Sequence, residues 1–280
     1  KLYKNRFAKD TRPDTKTNTG ANSLITIKNF SSISNKMSFK IEYGDSVIKP
    51  LFSSTFNNLI NNISVIKDGN SVLFAFLEGN DLLISDGKTI IDNVPEFSEY
   101  KTASITTGDV TFVIGTKGSS VNYWVKQPSN INKGSFNLLN NITAPPVIRK
   151  NIFYGFDLIL GSSNGVLYVY DLLSILNQNP IRKDSIFVDP SYSIAKISAS
   201  STSIAAIAYI NRTMSPVPPD PSYYYSSDGG KINFADESLT DLVTSIDNKG
   251  ENYSLISTMS GKIILISNGE IKSSFQLTDN

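Results

Sequence analysis

The sequence predicts an all-β protein with the fold of a six-bladed β-propeller, and three observations predict it. Six segments share a layout of strand, tight turn and strand, followed by a polar loop. Their turns recur about every 35 to 48 residues, which is the spacing of four-stranded propeller blades. No segment has a helical hydrophobic period, and the loops are rich in Gly, Ser and Asn. A two-sheet β-sandwich, or two smaller β domains, is the structural alternative.

Each of the six segments is a predicted β-hairpin. They span residues 37–52, 71–91, 110–127, 156–173, 203–234 and 253–271. Turns are predicted at Gly44-Asp45, Gly79-Asn80, Gly118-Ser119, Asn164-Gly165 and Ser260-Gly261, whereas an insertion replaces the turn of the fifth segment. Gly, Asn and Asp suit two-residue hairpin turns because the central positions need positive φ. Further predicted strands, such as 62–68, 101–107 and 185–189, bring each unit to four.

A single four-stranded blade of this kind has apolar side chains on both faces. Leu73, Phe74 and Phe76 are neighbours in one predicted strand, where consecutive side chains point to opposite faces. Both faces can be buried only against neighbouring blades, so the hydrophobic effect favours the complete ring over an isolated blade.

Cysteine and histidine are both absent from the 280 residues. Without cysteine the chain has no disulfides, thiolate nucleophiles or zinc fingers. Without imidazole it has no Ser-His-Asp triad and no side chain whose unperturbed pKa lies near neutrality. No phosphate loop of the GxxxxGK type is present. We therefore expect a protein that is not an enzyme and that binds no cofactor and no metal.

The composition indicates a neutral and polar surface. Charged residues make up 18% of the chain, against about 25% in an average protein. Ser, Thr, Asn and Tyr take their place. Such a surface favours an extracellular, cell-surface or virion protein over a cytoplasmic one. The longest apolar runs have only the length of strands, so we expect no membrane span.

The first 20 residues differ from the rest in charge. They contain six Lys or Arg and two Asp. We interpret residues 1–20 as a basic arm and residues 21–280 as a single propeller domain. The arm is predicted to dock on an acidic neighbouring protein subunit through Lys1, Lys4, Arg6, Lys9 and Arg12. The alternatives are a passive tail and, less favoured, an arm that grips nucleic acid with the help of Tyr3 and Phe7.

A second irregular segment, residues 211–230, is rich in proline in its first half. Because proline cannot donate to a strand ladder, we predict an insertion on one rim of the propeller. Tyr223, Tyr224 and Tyr225 follow the prolines and are predicted to bind a partner, since rigid aromatic area is typical of interface anchors and sugar platforms. In the alternative, these tyrosines fold back onto their own blade.

The stretch Ser226-Ser227-Asp228-Gly229-Gly230-Lys231 resembles the Asp box of sialidase-type propellers, whose pattern is Ser-x-Asp-x-Gly-x-Thr-Trp. Residues 84–91, "ISDGKTII", resemble it less closely. The resemblance implies a propeller in which Ser226, Asp228 and Gly230 form a structural turn between the outer strands of a blade. In such a turn the Asp side chain accepts backbone N–H groups and Gly supplies the positive φ.

Sialidase activity is not implied by this resemblance. Ile232 and Asn233 stand where the box has Thr and Trp. None of the five arginines lies in the motif from which that family builds its carboxylate clamp. The catalytic part of the family's pattern is therefore missing.

Two further features have structural interpretations. Trp124 is the only tryptophan and lies in the middle of a predicted strand, so we expect it in the core. Asp247, Asn248 and Glu251 surround a glycine but lack the alternating pattern of a calcium loop, and we interpret them as a hairpin turn.

The function predicted from these features is that of a non-enzymatic interaction or structural module, a subunit of a larger extracellular, surface or virion assembly. Its partners are protein subunits. One alternative is a carbohydrate-binding or glycosidase-like propeller that uses acidic and aromatic residues at the axial mouth. Another is an intracellular scaffold like the WD-repeat proteins, whose Gly-His signature cannot occur here because histidine is absent.

Overall fold

The structure is a computed structural model that describes residues 6–8, 25–32, 36, 38–43, 56, 58–68, 71–210 and 222–277. The chain divides into two compact units, Lys1–Ser54 and Thr55–Asn280. Every regular element in the described residues is a β-strand, except for one short 3-10 helix at Leu172–Asn177. In the described part of the chain, no helix has the length and apolar character needed to cross a membrane.

The first unit contains sheet 1, an antiparallel sheet whose three strands lie in chain order. Its strands are β1 (Arg6–Phe7), β2 (Ile25–Lys28) and β3 (Lys40–Tyr43). Arg6 and Phe7, which the sequence places in the basic arm, are therefore paired in a sheet. The turn predicted at Gly44-Asp45 lies outside the described residues.

The second unit contains five four-stranded antiparallel sheets. Sheet 2 consists of β4 (Ile60–Asp68), β5 (Ser71–Glu78), β6 (Asp81–Ser85) and β7 (Ile90–Val94). Sheet 3 consists of β8 (Ala103–Thr107), β9 (Val110–Lys117), β10 (Ser120–Lys126) and β11 (Ile131–Asn137). Sheet 4 consists of β12 (Val147–Lys150), β13 (Phe156–Gly161), β14 (Val166–Asp171) and β15 (Ile181–Phe187). Sheet 5 consists of β16 (Tyr192–Ala199), β17 (Ile204–Ile210), β18 (Ser222–Ser226) and β19 (Gly230–Phe234), and sheet 6 of β20 (Leu239–Ile246), β21 (Asn252–Thr258), β22 (Lys262–Ser267) and β23 (Glu270–Gln276).

Each of these sheets is a meander whose strands pair in chain order. The first strand of each sheet contacts the first strand of the next, so that β4, β8, β12, β16 and β20 form a continuous series. The fourth strand of each sheet lies farthest from that series. This arrangement, with inner first strands and outer last strands, is the arrangement of propeller blades.

The core lies between neighbouring sheets. Four clusters of buried apolar side chains join sheets 2 and 3, 3 and 4, 4 and 5, and 5 and 6. Leu73 is 4% exposed and Phe76 is 7% exposed. Trp124 is fully buried, and its Nε1 donates a 2.8 Å hydrogen bond to Asp92 Oδ2 of the neighbouring sheet. The expectation that Trp124 is a core residue is confirmed.

Two of the predicted hairpin turns have the predicted length. Gly79-Asn80 joins β5 to β6 and Gly118-Ser119 joins β9 to β10, with φ of 61° and 54° at the two glycines. The turns at Asn164-Gly165 and Ser260-Gly261 lie in longer connections, residues 162–165 and 259–261. The predicted turn after Asp247 is also present, since Asp247 Oδ1 accepts the N–H groups of Lys249 and Glu251.

The prediction of a rim insertion over all of residues 211–230 is wrong in its second half. Residues 222–226 form β18 in the interior of sheet 5, paired with β17 on one side and β19 on the other. Burial alternates along β18, as expected for a strand with one face against each neighbour. The prolines lie in residues 211–221, which are outside the described residues.

Candidate functional site

The predicted cationic contacts of the basic arm lie mostly outside the described residues. The predicted contact residues outside the described part are Lys1, Lys4, Lys9 and Arg12. Arg6 lies in β1, opposite Lys28. Docking of this segment on an acidic subunit stays a prediction.

The three consecutive tyrosines do not lie on a loop, because they belong to β18. Tyr224 is 2% exposed, and its hydroxyl donates a 2.8 Å hydrogen bond to Ser254 Oγ of sheet 6. Burial raises the pKa of Tyr224. On the opposite face, the rings of Tyr223 and Tyr192 meet edge to face at 4.4 Å. The prediction of a partner contact is therefore wrong for Tyr224, since the strand places its side chain between two sheets.

A first prediction follows from the position of Tyr224. Tyr224→Phe should lower the free energy of unfolding by about 1 kcal/mol, because a buried hydrogen bond is lost and Ser254 keeps only its bond to Thr244. Urea denaturation followed by circular dichroism measures the difference. Tyr154→Phe, at a side chain that is 83% exposed, is the control and should leave stability unchanged. Equal stability of both variants would contradict a structural role for the Tyr224 hydroxyl.

The turn at residues 226–230 joins the two outer strands of sheet 5, as the Asp-box resemblance implies. Its hydrogen bonds differ from the expected ones. Ser226 Oγ accepts the N–H of Gly229 at 3.0 Å, whereas Asp228 Oδ1 accepts the hydroxyl of Ser203 at 2.8 Å. Asp228 therefore links its turn to the neighbouring β16–β17 turn. Gly230 has φ of 78°.

The expected hydrogen bonds occur instead in the second, less similar stretch. Asp86 Oδ1 accepts the N–H groups of Lys88 and Thr89, each at 2.8 Å. These bonds lower the pKa of Asp86. Gly87 has φ of 83°, and the turn joins β6 to β7, the outer strands of sheet 2.

The most exposed aromatic residues of the described chain lie at the turn between β12 and β13, which the sequence analysis missed. We call Ile152, Phe153 and Tyr154 the aromatic tip. Their exposed fractions are 56%, 84% and 83%. Within the described part of the chain, these three consecutive side chains at the end of a hairpin are largely uncovered.

The aromatic tip is held in one conformation by Asn151. Its Oδ1 accepts the N–H groups of Phe153 and Gly155, both at 3.0 Å, and its own N–H donates to the carbonyl oxygen of Gly155. Tyr154 has φ of 61°, and the ammonium of Lys150 lies 5.5 Å from its ring centroid. Such a left-handed conformation is uncommon outside glycine and persists where surrounding contacts fix it.

A groove of about 560 Å³ lies beside the aromatic tip, between sheets 4 and 5. We call it the 4–5 groove. Its apolar lining comes from Ile152, Phe153, Val169, Ile186 and Ile204. Its polar lining includes Ser201, Thr202 and Ser227. The β12–β13, β16–β17 and β18–β19 turns all contribute, because the first and third turns of a meander lie at the same end of its sheet.

A buried ion cluster supports one wall of the 4–5 groove. Asp157 is 4% exposed and accepts hydrogen bonds from Arg149 Nε, Asn151 Nδ2 and Lys183 Nζ, each at 3.0 Å. Burial alone would raise the pKa of Asp157, but the three donors outweigh it and hold the pKa below its ordinary value. Lys183 also pairs with Asp171 at 3.4 Å. Because the same aspartate holds Asn151, this cluster fixes the base of the aromatic tip.

Two carboxylates near the 4–5 groove have no ion pair within the described residues. Asp184 lines the groove, and Asp228 follows Ser227, which lines it too. Burial, and then the charges of Asp184 and Asp228, raise the pKa of Tyr225, so both carboxylates lie near that ring. The cations Arg149 and Lys183 are already paired with Asp157. Among the groove-lining residues and Asp228, the uncompensated charge is therefore negative, whereas Lys150 lies outside the lining, against the ring of Tyr154.

This arrangement is suited to binding. It combines a rigid apolar projection with a groove whose lining contains both apolar side chains and the unpaired carboxylate of Asp184. Within residues 6–277, as far as they are described, no group of three or more acidic side chains is placed to hold a metal ion.

Comparisons with known proteins bear on the fold of the chain. No protein-family model matches the chain, and no curated protein sequence matches it. Among solved structures, it is similar to BBS1N in complex with ARL6DN, in crystals soaked with mercury and with lead. The first match has 10% identity and a TM-score of 0.51 over 73% of this chain and 64% of that chain. The second has 12% identity and a TM-score of 0.51 over 82% of this chain and 70% of that chain.

These matches show a fold. In the first of them, this chain spans less than two thirds of the length of the BBS1N chain. Together with the six consecutive meander sheets, they confirm the predicted all-β class and the six-bladed β-propeller. The resemblance to sialidase-type propellers gains no support from them and stays a prediction.

Proposed function

We propose that this propeller is a non-enzymatic protein-interaction or structural module that works as a subunit of a larger assembly. The observation that carries the proposal is the aromatic tip, Ile152–Tyr154, with two of its three side chains more than four fifths exposed. Large aromatic residues are the side chains that most often dominate binding energy at protein interfaces. Exposing them without a partner costs solubility and gains nothing within the fold.

The rigidity of the aromatic tip supports the same proposal. Binding costs free energy when loops and side chains become ordered, and a projection that is already fixed avoids much of that cost. Asn151 fixes the tip by bonding both Phe153 and Gly155. Asp157 in turn fixes Asn151. The tip is therefore preorganised for a complementary pocket on a partner.

The comparisons are compatible with an interaction role. The similar propeller BBS1N was solved in complex with ARL6DN. That complex concerns the other protein, and for this chain it supports only that a propeller of this kind can serve as a binding surface. The neutral polar composition favours an extracellular, cell-surface or virion assembly, with 18% charged residues.

A second prediction tests the proposed function. A triple variant, Ile152→Ser, Phe153→Ser and Tyr154→Ser, should fold normally, because exposed substitutions change stability little. Affinity purification of the tagged full chain from the cells that produce it, with chemical cross-linking and mass spectrometry, should recover at least about tenfold less of its main partner. The measured quantity is the ratio of partner to bait.

The matched control for this experiment is Leu139→Ser. Leu139 is 97% exposed and lies between β11 and β12, at the end of β12 opposite to the aromatic tip. It should leave the partner-to-bait ratio unchanged. Equal recovery of the same partner by the triple variant and the wild-type chain would overturn the proposed function.

A further inference from the structure

The residues around the aromatic tip indicate which kind of partner segment binds there; this inference rests on the proposed function. The tip and the 4–5 groove are continuous, since Phe153 belongs to both. A protein that packs around Phe153 therefore reaches the edge of the groove. The chemistry of the groove lining then restricts which side chains of the partner can bind there.

The charges around the 4–5 groove are unevenly compensated. Arg149 and Lys183 both pair with Asp157, and Lys183 pairs with Asp171 as well. Asp184 and Asp228 have no counterpart cation in the described part of the chain. Hydrogen bonds do reach them, from the backbone N–H of Ser185 to Asp184 and from the hydroxyl of Ser203 to Asp228. Such bonds orient the carboxylates without neutralising them.

The shape of the lining matches the two parts of a long basic side chain. Lys and Arg side chains bury an apolar stem and keep a charged head at a polar edge. Val169, Ile186 and Ile204 offer the apolar surface for a stem. Asp184 and Asp228 offer acceptors for the head. The exposed ring of Phe153 adds a face on which a cation can rest.

We propose that the 4–5 groove receives a lysine- or arginine-bearing segment of a protein partner, with the basic side chain directed to Asp184 and Asp228. The volume of about 560 Å³ accommodates one such side chain with its flanking main chain. Ser201 and Thr202 at the rim are positioned to bond that main chain. The aromatic tip anchors the partner, and the carboxylates at the groove favour a partner segment with a positively charged side chain.

The test uses two fluorescein-labelled hexapeptides that alternate leucine with lysine or with glutamate, and cellotriose as a neutral sugar probe. Fluorescence anisotropy with the full chain should detect the lysine peptide and not the glutamate peptide. Chemical shifts of the ¹⁵N-labelled chain should change at residues 151–155, 183–186 and 201–204. Cellotriose should leave these shifts unchanged.

The decisive variant is the double substitution Asp184→Asn and Asp228→Asn. Asparagine keeps one acceptor oxygen at each position, which is what the bonds from Ser185 to Asp184 and from Ser203 to Asp228 require, so the fold should persist. The lysine peptide should bind at least about tenfold more weakly. The matched control is the double substitution Asp109→Asn and Asp236→Asn, because both aspartates are exposed, lie in the β8–β9 and β19–β20 connections, and remove the same two charges elsewhere. It should leave the affinity unchanged.

Three results would overturn the inference: unchanged affinity in the decisive double variant, tighter binding of the glutamate peptide, or shifts caused by cellotriose alone. The last would assign the groove to carbohydrate. Each is distinguishable from failure of the proposed function, which is decided by partner recovery with the aromatic-tip triple variant. If the triple variant loses the partner while the Asp184→Asn and Asp228→Asn double variant retains it, the result supports an interaction module and contradicts a role for the two aspartates in binding.

Discussion

Gly165→Ala should cost more than about 3 kcal/mol of the free energy of unfolding. Gly165 has φ of 68°, a conformation that side chains disfavour. A Cβ at this position would lie 1.8 Å from the carbonyl oxygen of Asp189 and 2.9 Å from that of Tyr192. Both obstacles are backbone atoms, so relief requires movement of the connection between sheets 4 and 5.

Gly108→Ala is the matched control for this prediction. Gly108 has a similar φ of 57°, but a Cβ there would meet nothing within 4 Å. Its expected cost is about 1 kcal/mol, from backbone strain alone. Urea midpoints measured by circular dichroism compare the two variants. Equal midpoints would show that the approach of Asp189 to Gly165 is not a feature of the folded protein.

Asp157→Asn should destabilise the protein by about 3 kcal/mol, because it breaks a buried ion cluster. Asp157 receives three hydrogen bonds, two of them from the cations Arg149 and Lys183. Arg149 Nη1 already lacks a hydrogen-bond partner among the described residues. Removing the carboxylate charge leaves that guanidinium buried and uncompensated, and it loosens Asn151 at the base of the aromatic tip.

The pH dependence of this difference has a definite sign. The pKa of Asp157 is lower in the folded protein than its ordinary value, so its ionised form stabilises the fold. That contribution is complete above about pH 4 and is lost as the pH falls further, through the folded-state pKa. The stability gap between the wild type and Asp157→Asn should therefore be constant from neutrality to about pH 5 and should narrow below about pH 4.

Asp189→Asn is the control for the charge change. Asp189 pairs with Lys231 at 3.3 Å, and the two side chains are 28% and 40% exposed. An ion pair in such an exposed position contributes less than about 1 kcal/mol. If Asp157→Asn costs no more than Asp189→Asn at pH 7, the buried cluster does not stabilise the fold.

The architecture can be predicted from the sequence because the local signals for turns and strands agree with the repeat of hairpins along the whole chain. Gly79-Asn80 and Gly118-Ser119 each combine a residue that tolerates positive φ with alternating apolar strands on both sides. The prediction of a loop at Tyr223–Tyr225 is wrong, because the preceding prolines favour a loop while these residues themselves form a strand. Its own period of two, with Ser222, Tyr224 and Ser226 buried, was the competing signal.

The binding surface could not be predicted in the same way. "NIFYG", residues 151–155, has the composition of a strand, and only the Asn and Gly that bracket it indicate a turn. The ion cluster joins Asp157 to Lys183, 26 positions apart, on strands that meet only through the order of sheet 4. The 4–5 groove depends on two sheets, so its lining appears only after they pack.

Because Trp124 is buried at the boundary of sheets 2 and 3, its fluorescence can show when these two sheets separate. As the sole indole, beside the carboxylate of Asp92, it gives an intrinsic emission that depends on this one seam. The far-ultraviolet signal averages over all the sheets. Coincident loss of both signals would mean that the sheets unfold together, and an earlier change in emission would mean that this seam opens first.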